Sequence, residues 1–389
     1  MKLLYSTIYT EDGISRTQLA QRTHLSKTTI STLVDELIDL KFVTDEGVTQ
    51  HSDCVGRKPN GLKAQTGQHY VVVINWIEHV IETNVVDIAG TSVYCTKEHM
   101  VDQETYISLT RQCLYHDILK RFDTEQILGI CIVVSGIIDP EHRGLYSTTL
   151  SLGTDVSEHI IQELENAFPD FPVVALEDTA CYAYAEKIYT QVNEKNYAFI
   201  NFGRGIGATI FIEGKMLGKA SGAITQFGHY STGQDGPLCA CGNRGCLEAM
   251  FSETQLKQRL KEIDPENILL SSHTLTFRDI GNAAIYKNPA AIKLIRYMAR
   301  ELALAIDNLI CIVNPDLIVL GGKCQDLDSL FLTELKEAVK NTGFRYFTDR
   351  VQIRYSELHS NSYLNGAMRY FFDTYYSFYT PHKSDFHIG

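Results

Sequence analysis

The chain lacks any apolar run long enough to cross a bilayer. Its longest candidate, residues 127–138, is interrupted by Gly129, Ser135 and Gly136 and reads instead as a buried strand. A secretory leader is also missing, because Ser6, Thr7, Thr10, Glu11 and Asp12 bring polarity too early for an apolar leader core. Export and membrane association have no support, and a cytoplasmic protein is expected. Basic excess is absent too: 35 Lys and Arg face 47 Asp and Glu, a net charge of -12 that argues against general polyanion binding. Nor do the ten cysteines suggest a disulfide framework. Cys95, Cys131, Cys181 and Cys311 are scattered through apolar stretches, and only Cys239, Cys241 and Cys246 cluster.

What is present is enough for a large folded body. With 389 residues, 44% of them hydrophobic, two or three domains are expected. The charge is unevenly spread. Residues 1–65 hold eight Lys/Arg and eight Asp/Glu, so the rest of the chain carries the whole -12. A neutral module on an acidic body can still face phosphate if its cations share one surface.

Within that module, Ser15-Arg16-Thr17-Gln18 has the capping-box pattern, which starts a short helix with Leu19 and Ala20 on its buried side. The helix must stop near Thr23-His24. Ser26 then caps a longer helix whose apolar positions, Ile30, Leu33, Val34, Leu37 and Ile38, make one stripe. Its first turns expose Lys27, Thr28, Thr29, Ser31 and Thr32, short hydroxyls and one cation suited to phosphates and base edges. Two helices so spaced are the pattern of a helix-turn-helix. A polar, hairpin-like stretch to about residue 64 follows as a wing, and it carries Gly56-Arg57-Lys58-Pro59. The helix pair alone equally fits a small helical cap. The ordered combination with a basic wing favours DNA, with Arg16, Ser26, Lys27, Thr28, Thr29, Ser31, Thr32, Arg57 and Lys58 as contact residues.

From residue 70 the pattern becomes α/β. Strands are expected at 70–74, 85–88, 127–134, 173–176, 197–202, 208–212 and 317–320, and helices at 157–167, 181–192, 290–313 and 328–342. The most specific local signal is His229 followed by Cys239, Cys241 and Cys246. One imidazole and three thiolates complete a tetrahedral zinc site, and with no open position for water the ion is read as structural.

This cluster and the helix-turn-helix together resemble the ROK family, which contains sugar kinases and repressors. The likeness spans nearly the whole chain and is anchored at 15–31, 56–59, 135–139, 203–207, 228–248 and 314–322. It implies a winged helix-turn-helix (1–66) followed by a two-lobed, actin-like ATPase body of sugar-kinase type (67–389). Lobe one takes about 67–178 plus the C-terminal helix 363–389, and lobe two about 179–362. It also implies a homo-oligomer, dimer or tetramer, and a sugar-binding cleft lined by Asp178, Thr179, Gln226, His229 and Glu248.

Departures from the family pattern bear on activity. ROK kinases carry Asp-x-Gly-Gly-Thr, where this chain has Asn75-Trp76-Ile77-Glu78-His79, and Glu-Asn-Asp, where it has Glu177-Asp178-Thr179. Both phosphate-approaching glycines are lost, and a hydroxyl stands where the family has its base. The resemblance therefore implies a non-enzymatic regulator that binds a double-stranded operator under the control of a carbohydrate or protein effector. The competing expectations are an active sugar kinase and a sensor acting through protein partners.

Overall fold

The structure, a computed structural model, describes residues 1–48, 60–101, 105–139, 141, 143–152, 160–203, 205–380 and 384–389. The chain divides into two compact units. The first comprises 1–133, 162–174 and 367–387, and the second 134–161, 175–366 and 388–389.

The first unit opens with α1 (Lys2–Thr10), a helix ahead of the expected pair, and the two-residue strand β1 (Ile14–Ser15). Then follow α2 (Arg16–Thr23), α3 (Lys27–Asp39), β2 (Val43–Val48) and β3 (Asn60–Ala64). The helix boundaries have local causes. Ser15 forms the expected capping box, accepting from the Gln18 N–H while the Gln18 side chain accepts from the Ser15 N–H. His24 adopts a left-handed conformation that ends α2, and the Ser26 hydroxyl accepts from the Thr29 N–H to start α3. Ile30, Val34 and Leu37 are fully buried, whereas Leu33 and Ile38 lie only half-buried at the edge of the stripe. The strands form a small sheet of order β1-β3-β2, with Val43 opposite Ala64 and Ile14 opposite Leu62.

A larger sheet follows, from β4 (Tyr70–Ile77), β5 (Val80–Asp87), β6 (Ser92–His99), α4 (Tyr106–Gln112) and β7 (Ile127–Val134). Later come β8 (Ile137–Asp139), β9 (Gly144–Tyr146), α5 (Ile160–Ala167) and β10 (Val173–Glu177). Every residue of β7 is buried, as expected of a central strand covered on both faces.

The second unit continues with α6 (Asp178–Tyr189), β11 (Tyr197–Phe202), β12 (Ile206–Ile212), β13 (Lys215–Met216), α7 (Leu247–Met250), α8 (Glu253–Ile263), α9 (Phe277–Ile285) and α10 (Pro289–Val313). It closes with β14 (Leu317–Gly321), α11 (Asp328–Asn341), α12 (Arg345–Thr348) and β15 (Gln352–Tyr355). Its sheet has the order β13-β12-β11-β14-β15, antiparallel on one side of β11 and parallel on the other. The 25-residue α10 has textual punctuation at both ends: Asn288 accepts from two backbone N–H groups, Pro289 sits in the first turn, and left-handed Asn314 stops it. Its buried face, including Leu294, Met298, Leu302, Ile306 and Ile310, packs in the core with Leu320 and Phe331.

The chain ends with α13 (Ser362–Thr374) and β16 (Phe386–Ile388), and the main sheet of the first unit has the order β16-β10-β7-β4-β5-β6. The Phe371 ring fills the space beside Gly129 on β7, so α13 lies against that strand. Tyr5 and Phe42 pack on Phe372 and Phe378, with ring centroids 4.8–6.3 Å apart. Lys2 Nζ donates to the Asp373 carbonyl at 3.0 Å. The helix-turn-helix is therefore joined to the C-terminal segment through a shared aromatic core.

Candidate DNA interface, metal centre and effector cavity

Lys27, Thr28, Thr29 and Thr32 are exposed along α3, opposite its buried stripe, and Ser31 is half-buried. Local bonds occupy some hydroxyls: Thr29 Oγ1 lies 2.8 Å from Ser26 Oγ, and Thr32 donates to the Thr28 carbonyl at 3.2 Å. Arg16 sits differently from the other candidates, with its guanidinium bonded inside the module to Asp35 and the Ser31 carbonyl. Arg57 and Lys58 lie outside the described residues.

His229, Cys239, Cys241 and Cys246 converge, with their ligand atoms all within 4.8 Å of one another. The loop that achieves this is a tight knuckle. Cys239 N–H donates to Asn243 O, Gly242 N–H returns to Cys239 O, and Leu247 N–H reaches Tyr230 O. Gly245 has φ +71°, and a Cβ there would overlap the Gly233 carbonyl, so only glycine fits. Thr232 ties the loop to α10 through a 3.3 Å bond to Glu301.

Cys241 Sγ and Cys246 Sγ are 3.7 Å apart, and His229 Nδ1 is 3.5 Å from Cys239 Sγ. A tetrahedral ion with sulfur at about 2.3 Å and nitrogen at about 2.0 Å has edges of roughly 3.8 and 3.5 Å. The cluster can thus hold a metal ion as it stands. Burial pushes the Cys246 thiol up to about 12, while the Asn243 N–H draws Cys241 below the usual thiol range. A bound cation supplies the charge that ionises such thiols.

A cavity of about 880 Å³ in the second unit brings together all five expected effector residues, Asp178, Thr179, Gln226, His229 and Glu248. Glu177 and Asp178 lie at the end of β10 and the start of α6. Glu177 caps that helix by accepting from the Ala180 N–H at 2.7 Å. Burial, reinforced by the neighbouring Asp178 carboxylate, raises Glu177 well above the usual carboxylate range, and burial raises Asp178 as well. Thr179 is 2% exposed and donates to Asp178 Oδ1 at 3.2 Å. A Cβ on Gly207 would overlap its hydroxyl. Glu248 accepts from the Ile206 N–H at 3.3 Å, and the Gln226 amide donates to the Gly222 carbonyl. His229 turns Nδ1 toward Cys239, which leaves Nε2 as its remaining nitrogen. Ser135, Asn201 and Lys323 also line the cavity and were not singled out by sequence. Ser135 had a signal, since Ser135-Gly136 opens one of the family anchors.

The stretch Asn75–His79 forms the end of β4 and a two-residue turn into β5. Trp76 is buried and stacks on Tyr106, and the His79 N–H donates to the Tyr106 hydroxyl at 3.0 Å.

The model of the ROK family matches residues 78–373. The chain belongs to the ROK family. Among curated relatives, it is 26% identical over 368 residues to the xylose repressor of Bacillus subtilis (strain 168), covering 93% of this chain and 91% of the relative. It is 23% identical over 370 residues to the DNA-binding transcriptional dual regulator NagC of Escherichia coli (strain K12), covering 92% and 89%. Among solved structures, a ROK family transcriptional regulator homologous to the E. coli MLC protein superposes with a TM-score of 0.78 at 22% identity, covering 94% of this chain and 93% of that one. A ROK family glucokinase from Streptomyces griseus, in complex with glucose and AMPPNP, gives 0.63 at 22% identity, covering 77% and 98%. The expected fold is borne out: this ROK chain is mixed α/β with the actin-like, sugar-kinase type of body. The family match begins after the helix-turn-helix. Among the described residues no helix is long and apolar enough to cross a membrane.

Proposed function

We propose that this ROK protein is a DNA-binding transcriptional regulator, a repressor of carbohydrate-utilisation genes controlled by a sugar-type effector without phosphoryl transfer. The observation that carries the reading is the placement of Lys27, Thr28, Thr29 and Thr32 on the exposed face of a well-capped second helix. Relatives matched over nine-tenths of the chain, with their names of xylose repressor and transcriptional regulator, support it. Residues 1–66 serve as the winged DNA-binding domain, with Arg57 and Lys58 on the wing. Residues 67–389 serve as the sensing body. A partly palindromic operator is read by a homo-oligomer of the chain, because paired helix-turn-helix modules match paired half-sites.

In the cavity, Asp178, Glu248 and the free nitrogen of His229 meet sugar hydroxyls, with Thr179 and Gln226 shaping which pattern fits. The metal is structural zinc held by His229, Cys239, Cys241 and Cys246, and it fixes the loop that presents His229. Two features support a non-catalytic role. Thr179 supplies no base near neutral pH, and the Asn75–His79 stretch has a buried tryptophan and an engaged His79 N–H where kinases of the family cradle phosphate.

The test is a gel shift of the full chain on its own upstream region, with and without xylose, glucose, N-acetylglucosamine and their phosphates. A complex released by one sugar is the expected result. No complex at moderate salt would sink the reading, and sustained sugar-dependent ATP turnover would restore the kinase alternative.

A further inference from the structure

We propose that Arg16 is a positioning residue, locking the recognition helix to the first strand of the wing rather than holding a DNA phosphate. The proposal rests on the operator-binding reading above. Arg16 is the first residue of α2, directly after the Ser15 cap, and its side chain crosses to two other elements. Nη1 lies 2.8 Å from Asp35 Oδ1 and 3.3 Å from the Ser31 carbonyl, both on α3. Nη2 lies 3.7 Å from Asp45 Oδ2 on β2.

A planar guanidinium can serve these divergent acceptors at once, whereas an ammonium is a single point of charge on a flexible stem. One side chain therefore joins α2, α3 and β2. Their mutual angle decides whether α3 enters the major groove while the wing reaches the neighbouring groove. Ion pairs of this exposure add little to global stability, so what the contact fixes is chiefly orientation.

Charge gives a second reason. Asp35 is 61% exposed on the same helix that carries Lys27 and Thr28. A bare carboxylate there repels the phosphate backbone, and Arg16 neutralises it. Lys27, by contrast, has no ion-pair partner among the described residues and is the cation of α3 left for DNA.

The two roles for Arg16 predict opposite signs at Asp35. If Arg16 held a phosphate, Asp35→Ala would free that cation and remove a repulsive charge, and binding would tighten. If Arg16 is a brace, Asp35→Ala cuts the brace and operator binding weakens.

The experiment uses the full chain and two probes: the duplex that the wild-type chain enriches from a random-sequence pool, and an unrelated duplex of equal length. Arg16→Ala and Asp35→Ala are each expected to weaken operator binding by roughly tenfold, with the double variant no worse than the more severe single one. Binding to the unrelated duplex falls far less than operator binding in Arg16→Ala, where Asp35 is left bare, and does not fall in Asp35→Ala, while the slope of log affinity against log salt stays at the wild-type value. Arg16→Lys recovers only part of the loss. Tightening by Asp35→Ala, or a slope made shallower by about 0.9 in Arg16→Ala, overturns the proposal, because that is the signature of one lost phosphate contact. Asp45→Asn keeps the Arg16–Asp35 pair and is expected to give an intermediate loss, which keeps the test alive if Arg16→Ala does not fold. Failure of the wild-type chain to enrich any sequence overturns the operator-binding reading itself. The phosphate-contact outcome leaves that reading standing.

Discussion

The Thr179 hydroxyl and the Gly207 backbone lie so close that a Cβ at position 207 would overlap Thr179 Oγ1. Position 179 therefore has no spare volume on the Gly207 side, and it already borders two half-buried carboxylates, Glu177 and Asp178. Restoring the family's aspartate by Thr179→Asp is expected to destabilise the chain by about 1–3 kcal/mol, chiefly through a third like charge beside Glu177 and Asp178. Urea unfolding at neutral pH measures that loss. A coupled ATP assay on the same variant with hexoses and pentoses should still show no turnover, and turnover would count against the reading of the Asn75–His79 hairpin.

Glu177 and Asp178 predict a pH dependence. Burial raises both, so the folded chain holds a proton on this pair at pH values where the unfolded chain has released it. Stability contributed here is largest below the ordinary carboxylate pKa and declines as pH rises toward the raised values. Glu177→Gln, a neutral stand-in for the protonated acid, should melt above the wild type at pH 8, with the gap closing by pH 5. Thermal melts across that range check the sign, and a gap that widens on acidification would refute it.

The metal cluster predicts one zinc per chain by elemental analysis. Removal by a strong chelator, or Cys246→Ser, should lower the melting temperature by several degrees, because the knuckle loses its central tie. Acidification should release the ion as the cysteine ligands take up protons. A purified chain that contains no zinc and melts unchanged with chelator would refute the assignment.

Lys27→Ala combined with Thr28→Ala should abolish specific operator binding, since both side chains leave the exposed face of α3. Arg57→Ala should instead weaken all duplexes alike and make the salt slope shallower by about 0.9. Fluorescence anisotropy at several salt concentrations separates the two behaviours.

Phe378→Ala opens a hole in the aromatic core that Tyr5, Phe42, Phe372 and Tyr376 share with it. A loss of about 3–5 kcal/mol is expected. Limited proteolysis should then cut preferentially between the helix-turn-helix and β4, and an unchanged digestion pattern would show that the rings do not hold the module.

What the sequence disclosed was local. The caps at Ser15 and Ser26, the all-apolar run of β7, the stripe of α10 and the His-Cys spacing each contain their own cause within a few residues. What it withheld depended on distant partners. Tyr5 of α1 gains its meaning from Phe42, Phe372 and Phe378. Strand β6 alternates between half-buried and exposed positions, so it lacks the apolar signal of an inner strand. The effector residues were legible through family resemblance. Ser135, Asn201 and Lys323 come to the same cavity from three separate strand ends, which a linear pattern does not reveal. The partners of Arg16 were equally hidden, since nothing in Ser15-Arg16-Thr17 points to Asp35 or Asp45.

The aromatic core that joins Tyr5 and Phe42 to Phe372 and Phe378 also sets an order of events during synthesis. The Tyr5 and Phe42 rings are made early, but Phe372 and Phe378, against which they pack, emerge only with the C-terminal segment. A chain cut short before Phe372 would leave those two rings without these partners.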